Sequence, residues 1–271
     1  ATMLKSVAQR VPTVLQSRGR SVSQFRPRYG AFINGKEVFP DSNEFFKVYA
    51  PATDEVLCEV ASTDKKALND AVEVADEVYR SGVWSRADVR HRANVLSAIS
   101  VELKAAIPEL LELEVAQTGR AVREMKAQLG RLPEWFDYFA ALVRTNEGTC
   151  PPFLGNYINY VQRVPLGVCG LITPWNHPML IAVKKIAPAI ATGNSIVIKP
   201  SELAPVSVLE LGRVCQRAGL PDGVMNIVPG LGKEVGQLLC SHEKMRKIDL
   251  TGGTPTGRAV GAAAGANLCS V

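Results

Sequence analysis

The feature that most constrains this chain is a phrase repeated after Pro165: a short apolar run, a turn built from Pro, Gly, Ser or Asn, then a stretch with helical spacing. Residues 167–172 lead to a helix from about Pro178, residues 195–199 to one from about Pro205, residues 224–228 to one from about Gly232, and residues 247–251 to one from about Pro255. Strands separated in this way run parallel, because each helix carries the chain back to the end of the sheet where the previous strand began, and the crossovers are right-handed. The expected fold is α/β, with a doubly wound, Rossmann-like parallel sheet. Ligands of such sheets lie beyond the carboxyl ends of the strands, where the strand order reverses. The four strand exits are therefore where function is to be sought.

A chain of 271 residues, 46% apolar and 21% charged, has ample material for a buried core. Disorder, collagen and a disulfide scaffold are excluded as descriptions of the whole. Ahead of the sheet, residues 31–61 alternate apolar pieces with Asn34-Gly35, Pro40, Asp41-Ser42-Asn43 and Pro51, the pattern of small strands and turns. Helical spacing follows. Ala67, Leu68, Ala71, Val72, Ala75 and Val78 come after a Ser62-Thr63 cap and before Gly82 as C-cap. A second helix runs from about Ser85 through Leu103, Pro108 opens a third, and a last one holds Trp135, Phe136, Phe139 and Val143. Residues 154–165 alternate Tyr157, Asn159 and Val161 against Ile158, Tyr160 and Gln162, as a β-strand or hairpin would.

The net charge of +5 is unevenly placed. Residues 1–30 hold Lys5, Arg10, Arg18, Arg20, Arg26 and Arg28 and no acid, which leaves 25 basic and 26 acidic residues elsewhere. A body this close to neutral offers no domain-wide footprint for nucleic acid. The Arg- and Ser-rich, acid-free start has the composition of a mitochondrial transit peptide, disordered before import; a solvated basic arm is the alternative. The expected location is the mitochondrial matrix, with the cytoplasm as alternative. No apolar run reaches the ~18 residues of a membrane span. The six cysteines are dispersed, without metal-ligand spacing, so no metal is expected and they read as buried hydrophobes.

Each exit allows two readings. At Thr173-Pro174-Trp175-Asn176-His177-Pro178, Asn176 could aim its amide at a developing oxyanion or simply cap the helix. At Lys199-Pro200-Ser201-Glu202, the carboxylate could accept both hydroxyls of an adenosine ribose and repel a 2′-phosphate, or the tetrapeptide is an ordinary polar turn. Residues 229–236, Pro-Gly-Leu-Gly-Lys-Glu-Val-Gly, are one residue longer than the dinucleotide fingerprint G-x-G-x-x-G. Thr251-Gly252-Gly253-Thr254-Pro255-Thr256-Gly257 could offer free N–H groups and a helix N-terminus to a phosphate, or make only a tight turn.

Taken together and in this order, the Pro174-Trp175-Asn176, Lys199-Pro200-Ser201-Glu202, Gly230-to-Gly236 and Thr251-Gly252-Gly253 segments resemble the coenzyme-binding half of the aldehyde dehydrogenase superfamily. The resemblance covers nearly everything after residue 30. It implies oxidation of an aldehyde to a carboxylic acid with NAD, NADP being less favoured. Asn176 matches the oxyanion-hole residue and is the one catalytic residue implied; Thr173, Trp175, Asn176, Lys199, Glu202, Gly232, Gly252, Gly253 and Gly257 are the implied coenzyme-binding residues. The family often has Ser at the position of Gly253 and an aromatic hydrophobe at that of His177.

Two family segments have no match: the Glu-Leu-Gly-Gly holding the general base and the Gly-Gln-x-Cys holding the nucleophile. Cys240 follows Gly236-Gln237-Leu238-Leu239 one place too late and inside a helix, and Cys269 lacks the flanking residues. The expectation is a fragment that stops short of its chemistry and does not oxidise aldehydes. The implied division is a transit peptide (1–30), N-terminal strands and helices of the coenzyme-binding domain (31–153), a bridging hairpin strand (154–165) and an incomplete NAD-binding segment (166–271). The complete protein would be a homo-oligomer, dimer or tetramer, acting on a small aldehyde. Other classes remain open: a non-catalytic dinucleotide-binding or interaction subunit, or a structural protein with no ligand.

Overall fold

The structure, a computed structural model, describes residues 25–271. Its centre is a parallel array of β6 (Val168–Ile172), β7 (Ser195–Lys199), β8 (Met225–Ile227) and β9 (Met245–Leu250), in the spatial order β8-β7-β6-β9. The chain builds outward from β6 to β7 to β8, then returns to place β9 on the other side of β6. Strand order therefore reverses between β6 and β9, and the crevice of a doubly wound sheet belongs there.

Both faces are covered. Cys169, Leu171, Ile196 and Ile198 point into one core, shared with α2 (Val89–Thr118), α4 (Leu132–Arg144), α5 (Pro178–Ala191) and α6 (Val206–Arg217). Val168, Val197 and Ile248 point into the other, with α1 (Lys65–Ser81), α7 (Gln237–Cys240) and α8 (Thr254–Gly265). This period-two division explains why the strands read as unbroken apolar runs. Gly170 is required by packing: a Cβ there would lie 2.6 Å from Ile248 Cδ1.

Several expectations are corrected. The sheet has six strands and is mixed, because the hairpin of β2 (Ala31–Ile33) and β3 (Lys36–Val38) adds antiparallel to β8, with Phe32 opposite Ile227. Asn34 and Gly35, both at positive φ, make its turn. A second sheet holds β1 (Arg28–Tyr29), β5 (Val56–Ala61) and β4 (Phe45–Tyr49). Residues 25–30, expected within a disordered segment, are built into the fold: β1 pairs with β5, Tyr29 is buried, and Arg26 bonds to Glu37 and Glu210. Those two arginines belong to the body because acids there pair with them, Arg28 with Glu59. The transit-peptide reading of residues 1–24 lies outside the described residues.

Pro108 does not open a helix but sits inside α2, at an exposed position. Buried Leu96, Ile99, Leu103, Leu110 and Leu113 anchor the helix in the core on both sides of it. The cap of α1 is Asp64, which accepts from Ala67 N–H at 2.7 Å, and not Ser62-Thr63. The helix expected from Ser85 starts at Val89 behind Asp88. α3 (Val122–Leu129) was not expected: Ala121 precedes it without a side-chain cap. Residues 154–165 form no ladder; one antiparallel bridge joins Thr149 to Val161. No neighbouring strand is present among the described residues to complete their hydrogen bonds. Ser270 bridges Lys247 in parallel, on the open side of β9. Among the described residues no helix is long and apolar enough to cross a membrane.

Candidate coenzyme site at the strand exits

All four exits open onto one cleft of about 810 Å³, within the roughly 300–1,000 Å³ of small-molecule sites. The exits are stitched together by backbone: Thr173 N–H donates to the Lys199 carbonyl at 3.2 Å, and Thr251 N–H to the Ile172 carbonyl at 3.1 Å. The ladder thus continues one residue into the loops after β6 and β9.

At the first exit Thr173 is buried, and its hydroxyl faces no partner although it lies on the cleft wall. Trp175 and Asn176 are exposed on that wall. The cap position of α5 is occupied by His177, followed by Pro178, so Asn176 does not cap the helix. Among the described residues nothing bonds its amide. His177 Nδ1 lies 2.9 Å from one terminal atom of the Gln128 amide and 3.1 Å from the other. Burial, with the Arg120 cation beyond it, pushes the ring below its ordinary pKa and favours neutral imidazole.

The second exit contributes an ion pair. Lys199 is 3% exposed; its Nζ donates to Glu202 Oε2 and to the Pro200 carbonyl, both at 3.1 Å. Burial lowers its pKa while the Glu202 carboxylate opposes the shift. The other carboxylate oxygen of Glu202 has no hydrogen bond among the described residues.

At the third exit the expected helix begins as a single π turn over Gly232–Gly236 and then becomes α7. Gly230 is the glycine the backbone demands, at φ 150° with Val235 only 2.3 Å from a would-be Cβ. Gly232 faces open cleft, where a Cβ would meet nothing within 4 Å. Gly252 and Gly253 line the fourth exit, and a Cβ on Gly253 would approach only Pro255, at 3.8 Å. Gly253 precedes α8, whose first turn leaves the Thr254 and Thr256 N–H groups without helical acceptors. Gly257 does not join the cleft wall: it lies one turn inside α8, its N–H bonded to the Gly253 carbonyl at 3.0 Å.

The sequence reading missed Lys233, Gln237 and Thr256, which also line the cleft. Only their neighbourhood to the glycines could have signalled them. Cys240 is on the wall too, but burial holds its thiol up at about 11. Burial likewise pushes Cys58 and Cys215 up to about 12 and Cys169 to about 11, and raises Cys269. These sulfurs are protonated at neutral pH and poor nucleophiles.

Comparison with known proteins gives a consistent result. The sequence profile described as the aldehyde dehydrogenase family matches residues 38–271. Aminoaldehyde dehydrogenase 2 of Zea mays is 39% identical over 241 residues, 86% of this chain and 48% of that protein. Betaine aldehyde dehydrogenase of Hordeum vulgare is 38% identical over 244 residues, 88% and 48% of the two chains. Among solved structures, betaine aldehyde dehydrogenase from Staphylococcus aureus in complex with NAD+ superposes with a TM-score of 0.88 at 30% identity, covering 92% of this chain and 49% of that one. The chain spans about half the length of the relatives it matches.

Proposed function

The chain belongs to the aldehyde dehydrogenase family, and from that premise we propose that its cleft is the NAD site of an enzyme that oxidises an aldehyde to a carboxylic acid. The observation that carries this reading is the convergence of all four strand exits on one cleft with Lys199 and Glu202 paired in its wall. The residues fit the coenzyme. Glu202 has a free carboxylate oxygen for a ribose hydroxyl, and its charge disfavours a 2′-phosphate. Gly252, Gly253 and the start of α8 offer N–H groups to a pyrophosphate, with the positive helix end behind them. No side chain at Gly253 adds a hydroxyl contact, so backbone carries the binding there. The Thr173 hydroxyl and the Asn176 amide, both unbonded among the described residues, remain for the reacting end.

Bound NAD supplies the hydride acceptor; the chain's part is to hold it, and Asn176 is the group that would donate to the substrate oxygen as negative charge develops. No match to the family's nucleophile or general-base segments occurs in these residues, and the cleft thiol of Cys240 is held neutral. We therefore assign the 271 residues to coenzyme binding without aldehyde oxidation, and the oxidation to the longer protein of which the relatives are examples. The exposed residues 153–166 support assembly of that protein into a homo-oligomer, and the acid-free, basic composition of residues 1–24 supports a mitochondrial address.

Titration calorimetry tests the reading. NAD+ binds the native chain, and Glu202→Ala weakens it by about tenfold or more, the loss expected for hydrogen bonds to a charged group. NADP+ gains relative to NAD+ in the same variant. A native chain that takes no NAD+, or an unaffected Glu202→Ala, overturns it.

A further inference from the structure

The first two exits run into α5 and α6, and each of these helix starts leaves N–H groups that the helix itself cannot satisfy. At α5, Pro178 has no N–H, and the next donor, Met179 N–H, bonds to Glu114 Oε1 at 3.1 Å. At α6, Val206 N–H bonds to Gln117 Oε1 at 3.0 Å. Between them stands Ser207, whose hydroxyl donates to Glu114 Oε2 and accepts from Gln117 Nε2 at 2.6 Å. Gln117 Nε2 also reaches Glu114 Oε2 at 3.3 Å. Glu114 and Gln117 are three residues apart on α2, hence on one helix face. They and Ser207 are at most 2% exposed.

This cluster joins two loops remote in sequence. The loop before α5 carries Thr173, Trp175 and Asn176; the loop before α6 carries Glu202 and leaves β7 at Lys199. We infer that Glu114 and Gln117 form a shared cap that fixes these two loops relative to one another, and are positioning residues of the coenzyme site. Neither lines the cleft, so they act only through the helices they cap. A carboxyl group at two helix N-termini also meets the positive ends of both. Burial pushes the Glu114 pKa up, opposed by the bonds from Ser207, Met179 and Gln117 and by the Arg120 cation.

The isosteric Glu114→Gln variant separates the two halves of the cap. Its carbonyl oxygen still accepts from Met179 N–H, but its NH2 faces Ser207, whose hydroxyl then has no acceptor. Hydrogen exchange is measured on the full chain without coenzyme, alongside NAD+ titration. In Glu114→Gln, amides of residues 203–209 exchange about tenfold faster while those of 178–181 stay near native; in Glu114→Ala both segments speed up by about tenfold, the usual effect of losing a cap. Strand amides of β7 and β8 stay unchanged in Glu114→Gln. NAD+ affinity falls by roughly three- to tenfold in Glu114→Gln. Unchanged exchange in both segments, uniform acceleration that includes β7 and β8, or faster exchange with unchanged NAD+ affinity overturns the inference. It rests on the coenzyme reading only for that last measurement: a native chain that takes no NAD+ sinks that reading, and exchange alone then decides the cap.

Discussion

Strand β7 and residues 153–164 are both apolar, and they end in opposite states. Ile196, Val197 and Ile198 are fully buried between two parallel neighbours. Leu154, Tyr157 and Ile158 are 90%, 76% and 85% exposed, with one backbone bridge beside them. Composition does not separate the two; the supply of neighbours does. A β-strand satisfies its N–H and C=O groups only on another strand, so an apolar alternating run is a request for a partner. For β7 the chain itself answers, with β6 on one side and β8 on the other. For residues 153–164 no strand among the described residues does so, and the row of apolar side chains left in solvent is a ready edge for another chain.

The largest effect that would break this contrast comes from truncating the same residue type in both places. Ile198→Ala lowers the unfolding free energy by about 2–5 kcal/mol, while Ile158→Ala stays within about 0.5 kcal/mol. Urea titration reads both; equal losses would mean that the exposed segment is packed in solution. Next in size is association. Replacing Ile158 and Tyr160 together by Lys weakens self-association by about tenfold or more in sedimentation, if this face carries it, with thermal stability unchanged. Self-association as strong as native would remove residues 153–164 from the interface.

The smallest effect sharpens the contrast with a third case, residues 25–30, which are held by side-chain charge as well as by a two-residue strand. Burial pushes the Glu37 pKa up, but bonds from Arg26 and Gly30 N–H and the Arg213 cation outweigh it, and the net shift is downward. A carboxylate with a depressed folded pKa stabilises above its ordinary value of 4.5, and that contribution is lost as pH falls through the folded value. The gap in urea stability between the native chain and Glu37→Gln is therefore present at neutral pH and closes below pH 4.5. Its size is about 1 kcal/mol or less, because the partner Arg26 is partly exposed and screened. A gap that persists in acid would show that Glu37 acts by packing.

The exits were legible in the sequence because each is a local event: a strand ends, a glycine or proline turns the chain, and a helix begins. Lys199, Glu202, Gly232, Gly252, Gly253 and the residues from Thr173 to Asn176 could all be placed before the sheet was seen. What could not be read was set by distant partners. Pro108 breaks helices in isolation and is tolerated because α2 buries its opposite face. The β2–β3 hairpin was visible from Asn34-Gly35, but its place beside β8 depends on a strand nearly 200 residues later. Gly257 belonged to the motif by spacing and fell inside α8. Glu114 and Gln117 lie in an unremarkable stretch of helix, and no local pattern distinguishes them from surface residues.

The hairpin has a consequence for assembly. It finishes one side of the main sheet, where β3 carries an exposed Lys36 beside a half-buried Glu37 whose carboxylate is held by Arg26, Arg213 and Gly30 N–H. The opposite border, along β9, already takes a parallel contact: Ile248 N–H donates to the Ser270 carbonyl at 2.8 Å. The two borders of the sheet thus differ in kind: an antiparallel hairpin made from residues next to each other in the chain stands at one, and a single parallel contact from beyond α8 stands at the other.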